Sequence, residues 1–434
     1  MMTKQDVIDW VEQHRQEFID MANKIWENPE LPHREFMASR LQADYLERQG
    51  FKITWEIGGL QTAFIAEWGE GAPILGFAGE FDALPGLSQK LSPDPEPIEG
   101  LDAGHGCGHN LICAAALGAG RALAAALKAD RRAGTVVVMG TPAEEGGGGK
   151  VEMIDQGALK DVDMALMAHP SVRTQPWTGS TAIQRFEVSY AGQSAHAAAG
   201  PHRGRNALDA VRLLFAGVDA WRQQLPESSR VHGIVTNGGA APNIIPDKAV
   251  CDFFLRSPQD DVLDAMVRRF QAIAKGAAMM TDTAVAIRTK DRPYKAPWLN
   301  APLNDAWVET TAEMKLKPRI DAEMGRVSTD FSDVSQVVPG SHVYFGITRK
   351  ENLPSHSPQF AEASASPFGV AQMLKAAEEQ YEKLINRNVS GWSAAGKSVQ
   401  YRDLKEVYEN LLRCRALYNS LAGRAAGRTY ARPG

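Results

Sequence analysis

Cysteine is scarce in this chain, with four residues in a total of 434. These four are widely spaced, so no disulfide framework is expected: Cys107, Cys113, Cys251 and Cys414. Basic residues are not in excess, because the formal net charge is −5, and this argues against nucleic acid as the main partner. No uninterrupted apolar run reaches the ~18–20 residues of a membrane span, and the first residues lack the features of a secretory signal or transit peptide. These absences favour a cytoplasmic protein with reduced thiols that binds neither nucleic acid nor membrane.

Two domains are expected, because 434 residues exceed what one hydrophobic core usually organises. Strand-like apolar segments end in charged residues and alternate with helical segments, which indicates an α/β sheet that binds ligands at the carboxyl ends of its strands. Further along, the order strand, helix, strand, strand, helix, strand is typical of a ferredoxin-like α+β domain. We therefore predict a discontinuous first domain over residues 1–180 and 298–390 and an inserted domain over residues 181–297. Residues 391–434 form a basic tail without an assigned role.

The segment GHGCGHN at residues 104–110 places three metal-binding side chains at alternating positions, His105, Cys107 and His109. Residues two apart in an extended segment point the same way and can reach one ion, and the glycines allow close backbone approach. Thiolate with imidazole suits zinc, while added carboxylates allow manganese or cobalt. Spacing alone does not choose among the three candidates.

A pair of carboxylates, Glu144 and Glu145, follows another apolar strand in TPAEEGGGG. Neighbouring strand residues point to opposite sides, so one carboxylate can bind a metal while the other faces a substrate. That division suits metal-assisted hydrolysis, in which an ion acidifies a water and a separate carboxylate takes its proton. His169 in AHP and His356 in LPSHSPQF each lie beside a proline near a strand end. Each motif alone is also consistent with a solvated turn, but together they favour a metal site.

The chain resembles the metal-dependent aminoacylase and carboxypeptidase G family of peptidases in a set of six segments: GEFDALPG, GHGCGHN, TPAEEGGGGK, AHP, SAHAAAGP and HSPQF. The segments RVHGIVTNGG, PNIIP and STDFSDVS are similar to its amidohydrolase branch, which contains p-aminobenzoyl-glutamate hydrolase subunits and β-alanyl-lysine dipeptidases. The resemblance covers about residues 5–385. It implies a mixed-sheet, zinc-peptidase-like catalytic domain with an inserted ferredoxin-like domain that serves for dimerisation or as a lid, and a homodimer formed through that inserted domain.

The resemblance also implies roles for individual residues. Two divalent ions, zinc or manganese, would be held by Cys107, His109, Glu145, His169 and His356. Glu144 would be the general base and then the acid for the leaving amine, and His196 in the inserted domain would stabilise the oxyanion. Asn243 and Arg256 would grip the substrate, often at a carboxylate, although a structural ion pair is an equally good interpretation of Arg256.

One motif departs from the pattern of many relatives, which have a metal-binding histidine in H-x-D where this chain has Glu80-Phe81-Asp82. The amidohydrolase branch also lacks that histidine. Whether Glu80 and Asp82 orient ligands or support the loop stays open, as does full occupancy of the second metal site.

The leading hypothesis for function is metal-dependent hydrolysis of an amide bond in a small N-acyl-amino acid or dipeptide-like substrate, with release of a free amino acid. One alternative is a non-catalytic family member that acts as a binding or regulatory subunit. In another alternative, the same metal-dependent hydrolysis acts on a carbamoyl or formyl amide.

Overall fold

The computed structural model describes residues 2–92, 94–314, 316, 318–320, 325, 327–389, 392–394 and 397–399. The strands are β1 Lys52–Trp55, β2 Phe64–Glu70, β3 Ile74–Glu80, β4 Leu84–Pro85, β5 Ala103–Gly104, β6 Gly134–Thr141, β7 Met164–Ser171, β8 Ala182–Ala191, β9 Arg230–Asn237, β10 Lys248–Ser257, β11 Ala284–Thr289, β12 Gly340–Gly346, β13 Trp392–Ala394 and β14 Lys397–Val399. The helices are α1 Lys4–Gln13, α2 Arg15–Glu27, α3 Phe36–Arg48, α4 His109–Asp130, α5 Gly149–Asp155, α6 Ala207–Arg222, α7 Asp260–Thr281, α8 Ala301–Glu313, α9 Phe331–Val337, α10 Pro358–Ala365 and α11 Pro367–Val389.

The chain divides into two compact units. The first comprises Met1–Thr178, Trp298–Glu323 and Asp333–Gly434, and the second comprises Gly179–Pro297 and Met324–Ser332. The basic tail expected at residues 391–434 lies outside the described residues, apart from the backbone of the short strands β13 and β14.

Six strands of the first unit form one mixed sheet in the order β1-β2-β6-β3-β7-β12. Strands β6, β3, β7 and β12 run parallel, whereas β1 and β2 are antiparallel at one edge. The central strands are buried over nearly their whole length, as expected for parallel strands covered on both faces. Because these strands are parallel, the carboxyl ends of β6, β3 and β7 meet at one edge of the sheet. The structure confirms the α/β, mixed-sheet class predicted from the sequence.

Helix α4 is the central helix of the first unit and packs closely on the sheet. Its small residues permit this approach, since a Cβ added at Gly120 would lie 2.4 Å from a methyl group of Val138. Among the described helices, α4 is the one long and apolar enough to cross a membrane. Of its most apolar 18-residue stretch, however, 89% is buried inside the structure, as in a core helix. The position of α4 matters for the site, because its first residue, His109, lies at the carboxyl edge of the sheet.

The second unit contains a four-stranded antiparallel sheet in the order β11-β8-β10-β9. Helices α6 and α7 pack on one face of this sheet, and the chain order gives the split βαβ topology of a ferredoxin-like unit. Residues 327–332 also belong here, a difference from the predicted boundaries. The reason is local bonding: Thr181 N–H donates to the Val327 carbonyl at 2.8 Å, and the hydroxyls of Ser180 and Ser332 lie 2.6 Å apart.

Candidate metal centre

The carboxyl edge of the first unit's sheet collects the charged ends of three adjacent strands. Glu80 ends β3, with Asp82 two residues later, and Glu144 and Glu145 follow β6. His169 lies near the end of β7. Residues far apart in the chain are therefore brought to one edge by the parallel arrangement of the strands.

The fold separates the three candidates in GHGCGHN. Cys107 and His109 lie at the carboxyl edge, whereas the ring Nε2 of His105 lies 3.2 Å from the Ile25 carbonyl oxygen in α2. Burial lowers the pKa of His105 to about 3, so its ring is neutral. His105 is thus a packed residue beneath the site rather than part of it.

The turn that precedes α4 requires glycine and also anchors a distant segment. Gly108 has a φ of 76°, and a Cβ on it would lie 2.7 Å from Pro170 Cγ, so another residue type would meet both strain and a clash. The backbone N–H of His356 donates to the Gly106 carbonyl at 2.8 Å. That bond places the His356 side chain beside the residues of the turn.

The five side chains that the resemblance implies as ligands lie close together. Cys107 Sγ lies 3.6 Å from His169 Nε2, and Glu145 Oε1 lies 3.8 Å from His109 Nε2 and 3.3 Å from His356 Nε2. Three groups have their ligand atoms within 4.8 Å of one another: Cys107, His109 and His169; Cys107, Glu145 and His356; Glu80, His109 and Glu144. The groups share members, so they adjoin one another.

Three buried polar atoms at this edge have no hydrogen-bond partner among the described residues, namely Glu80 Oε2, His109 Nε2 and Glu145 Oε1. Leaving a buried polar atom unpaired costs about 1–3 kcal/mol. His109 Nε2 lies 3.4 Å from Glu80 Oε2, so the unpaired atoms face one another. A divalent cation would satisfy them, and a donor set of thiolate, imidazole and carboxylate suits zinc and allows manganese or cobalt. The residues present therefore fit a metal.

Asp82 holds two parts of this centre in place. Its Oδ1 lies 2.9 Å from His109 Nδ1, and its Oδ2 accepts the backbone N–H of Glu145 at 2.9 Å. The first contact places a proton on Nδ1 and directs Nε2 of His109 toward an ion. His169 is oriented similarly, because its Nδ1 lies 2.7 Å from the Pro170 carbonyl oxygen. Asp82 thus orients a candidate ligand and also supports the loop, the two roles that the sequence left open.

Burial and neighbouring charges shift the pKa values of the candidate ligands. Burial lowers the pKa of His169 to about 4, which keeps its ring neutral. Burial opposes charge on His109 too, but Asp82 and Cys107 raise its pKa well above the ordinary value. Burial raises the pKa of the Cys107 thiol, and the adjacent Glu145 carboxylate raises that of His356. Metal binding must displace the protons of the Cys107 thiol and of the His109 and His356 rings, so metal affinity falls as the pH falls.

Glu80 is paired with a lysine that sequence reasoning did not single out. Lys150 Nζ lies 2.6 Å from Glu80 Oε1, and the two side chains are 2% and 0% exposed. Burial would raise the pKa of Glu80, but the Lys150 charge lowers it, so the carboxylate is ionised. The signal in the sequence was the lysine that closes TPAEEGGGGK.

Cys107→Ser is expected to lower metal affinity by roughly 100-fold or more, because losing a direct ligand should exceed the 10–100-fold cost of losing a supporting residue. Competition with a chelator for Zn²⁺ or Mn²⁺ measures this. Cys113→Ala is the matched control, since Cys113 is a buried cysteine in the body of α4. Equal affinities in the two variants would show that Cys107 is not a ligand.

Glu35→Gln is expected to change how stability depends on pH. Burial and the Asp82 charge raise the pKa of Glu35 from 4.5 to about 7, so folding favours its protonated form. That contribution is complete below about pH 4.5 and is lost as the pH rises through about 7, a change of roughly 3 kcal/mol. In urea unfolding of the metal-free proteins from about pH 4.5 to about pH 8, the wild type should lose this amount relative to the variant. Parallel stability curves would refute the prediction.

In the second unit, His196 and Asn243 lie on two loop segments that pair with each other. The Ala197 N–H donates to the Asn243 carbonyl at 3.0 Å. The exposed His196 ring accepts at Nδ1 from the backbone N–H groups of Ala198 and Ala199, at 3.2 and 3.1 Å. Because Nδ1 accepts, the ring proton of neutral His196 lies on Nε2, which is then a hydrogen-bond donor.

Arg256 in β10 is held by other side chains of the second unit. Its Nη1 donates to Ser328 Oγ at 3.0 Å, its Nε lies 3.3 Å from His232 Nε2, and its guanidinium lies over the Phe254 ring at 5.5 Å. In the part of the chain that the structure describes, Arg256 forms no salt bridge with a carboxylate.

Known proteins similar to this chain share both sequence and fold with it. The model of peptidase family M20/M25/M40 matches residues 76–400. The chain is 39% identical over 287 residues to a p-aminobenzoyl-glutamate hydrolase subunit of Escherichia coli, covering 64% of this chain but only 59% of that relative's length. It is 34% identical over 380 residues to the human Xaa-Arg dipeptidase, covering 82% of each chain.

Solved structures show the same fold at lower identity. A dinuclear metal-binding peptidase of the M20 family from Bacillus subtilis aligns with a TM-score of 0.62 and 22% identity, over 85% of this chain and 98% of that one. An aminobenzoyl-glutamate utilization protein from Klebsiella pneumoniae aligns with a TM-score of 0.62 and 19% identity, over 85% and 97%. From the matched family model and the human relative, the chain belongs to peptidase family M20/M25/M40.

Proposed function

We propose that this protein hydrolyses the amide bond of an N-acyl-amino acid or dipeptide-like substrate and releases a free amino acid, with divalent metal ions as cofactors. The observation that carries the proposal is the convergence of metal-binding side chains beside Glu144 at one sheet edge. The relatives support it, since one is named for hydrolysis of p-aminobenzoyl-glutamate and another for cleavage of Xaa-Arg dipeptides.

Two ions would be held by Cys107, His109, Glu145, His169 and His356. Two features support this number: Cys107 belongs to two adjoining ligand groups, and one solved relative is a dinuclear metal-binding peptidase. We propose zinc or manganese, with the thiolate favouring zinc. When bound, the ions would polarise the substrate carbonyl and acidify a water molecule.

Glu144 would act as the general base and then as the acid. Its Oε2 lies 4.0 Å from His109 Nε2, and its side chain is 11% exposed, so it faces the centre from a largely buried position. A carboxylate held there can take a proton from the attacking water and pass it to the leaving amine.

The second unit would supply further groups that contact the substrate. His196 would donate Nε2–H to the oxyanion that develops on the carbonyl oxygen. Arg256 would bind a substrate carboxylate through its planar fork of donors, with Asn243 beside the His196 segment as a further polar contact.

We also propose that the first unit is the catalytic domain and that the second, inserted unit mediates homodimer formation or acts as a lid. Strand β9 lies at the edge of its sheet. Ile234 and Val235 on this strand are 65% and 48% exposed. An edge strand with exposed apolar side chains is suited to pairing with a second copy.

A cytoplasmic location is part of the proposal. The cysteines within the described residues, Cys107, Cys113 and Cys251, form no disulfide, as is usual where thiols are kept reduced.

A substrate panel with metal-loaded protein tests the function. The panel holds N-acyl-amino acids, p-aminobenzoyl-glutamate, dipeptides with a basic C-terminal residue, and carbamoyl and formyl amino acids. We expect metal-dependent cleavage of an acyl-amino acid or a dipeptide. Cleavage restricted to carbamoyl or formyl amides would replace this proposal with the alternative chemistry, and no cleavage by fully loaded protein would favour a binding or regulatory member of the family.

A further inference from the structure

Glu35 is a buried carboxylate with no part in the proposed reaction. Its residue is 0% exposed. Its Oε1 accepts backbone N–H groups of His33 and Ala143, both at 2.9 Å, and its Oε2 accepts the Thr62 hydroxyl at 2.9 Å. The side chain therefore connects three segments, one of which lies 108 residues further along the chain.

Helix capping does not account for Glu35. It directly precedes α3, but its side chain makes no capping hydrogen bond. The carboxylate of Glu30 caps that helix instead, accepting the N–H groups of Met37 and Ala38 at 2.9 and 2.8 Å. The side chain of Glu35 instead accepts a hydrogen bond from the segment around Ala143.

That segment is the turn directly before the carboxylate pair. Ala143 has a φ of 57°, a left-handed conformation that residues with a Cβ seldom adopt. The turn is closed by Gly148 N–H, which donates to the Ala143 carbonyl at 2.9 Å. A strained turn persists only where surrounding contacts hold it, and the bond from Ala143 to Glu35 is such a contact.

Buried carboxylates hold the backbone on both sides of Glu144. The N–H of the residue before it, Ala143, donates to Glu35, and the N–H of the residue after it, Glu145, donates to Asp82 at 2.9 Å. The backbone that carries the Glu144 side chain is therefore held on either side by a hydrogen bond to a buried carboxylate.

We propose that Glu35 is a positioning residue for this centre, which holds Ala143 and thereby orients Glu144 and places Glu145 for metal binding. The part concerning Glu144 rests on the proposed function, whereas the placement of Glu145 can be tested by metal binding alone. What the site needs from residue 35 is an acceptor at the Oε1 position. A glutamine supplies that acceptor, and its amide N–H can donate to the Thr62 hydroxyl.

The test compares Glu35→Ala, Glu35→Gln and the matched control Glu30→Ala, which removes the carboxylate that caps α3. Four quantities are measured: Co²⁺ affinity by chelator competition, the Co²⁺ absorption spectrum, and kcat and KM on any substrate that the panel identifies. Glu35→Ala should lose about 10–100-fold in Co²⁺ affinity and in kcat, with an altered spectrum and a smaller change in KM. Glu35→Gln should stay within about threefold of the wild type, and Glu30→Ala should lower Tm while leaving the spectrum and kcat unchanged.

Two results would overturn the proposal. One is a Glu35→Ala protein with reduced Tm but wild-type Co²⁺ affinity, spectrum and kcat, which would show a merely structural role. The other is a Glu35→Gln protein as impaired as Glu35→Ala, which would show that charge rather than the acceptor matters.

Two further arms keep the test decisive. If Glu35→Ala does not fold, Thr62→Val removes the hydroxyl that fixes the direction of the Glu35 carboxyl group and thereby the position of Oε1. This variant should shift the spectrum to a smaller degree, and an unchanged spectrum and kcat would refute the proposal. If the wild type cleaves no substrate, the proposed function fails, while Co²⁺ affinity and spectrum still decide whether Glu35 places Glu145.

Discussion

Glu144→Gln is expected to lower kcat/KM by roughly 10²–10⁴-fold, the usual contribution of general acid–base catalysis, while metal content stays at the wild-type level. The amide keeps the size of the side chain but cannot take a proton from water. Glu144 lies at the rim of the ligand cluster, with its Oε2 4.0 Å from His109 Nε2, so its loss should leave the five candidate ligands in place. Initial rates and metal analysis on the same preparations measure both effects.

The neighbouring substitution Glu145→Gln separates the two roles. Glu145 Oε1 lies 3.3 Å from His356 Nε2, so this variant should lose metal as well as activity. Glu47→Gln, an exposed carboxylate in α3, should change neither quantity. If Glu144→Gln instead lost metal and Glu145→Gln kept it, the proposed roles of the pair would be reversed, and unchanged activity in Glu144→Gln would eliminate it as the base.

Lys150→Met is expected to reduce the free energy of unfolding of the metal-free protein by about 3–5 kcal/mol, the cost of breaking a buried ion pair at one partner. Lys150 and Glu80 are buried and lie 2.6 Å apart. Removing the ammonium leaves the Glu80 charge without its compensating partner in a site that excludes water. Urea unfolding in the presence of a chelator measures the change, since bound cations would mask it.

The double variant Glu80→Gln with Lys150→Met provides the control for this prediction. Replacing both partners of a buried pair is often close to neutral, so the double variant should recover most of the stability lost by Lys150→Met. A double variant as unstable as the single one would show that Lys150 contributes through packing rather than through its charge on Glu80.

Much of the candidate site was predictable because its candidate ligands occur in short motifs beside strand ends. The pattern that indicates metal binding lies within a few residues in each of four motifs: GHGCGHN, the carboxylate pair, AHP and HSPQF. Parallel strands then bring the ends that carry these motifs to one edge of the sheet. Glu35 carries no comparable local signal, and Lys150, although it closes the motif TPAEEGGGGK, gives no local sign of its partner. Their partners Ala143 and Glu80 lie 108 and 70 residues away, and no spacing rule relates positions so far apart.

By itself, the sequence determined the α/β class and the segments that hold the candidate ligands, because apolar periodicity and motif spacing are local properties of a chain. Only the tertiary structure decided that His105 turns toward the Ile25 carbonyl, away from the cluster. It also decided that Asp82 contacts both His109 and the Glu145 backbone, and that residues 327–332 join the second unit. These outcomes depend on which distant segments share buried space, where each polar group must find a partner among the neighbours that the fold provides.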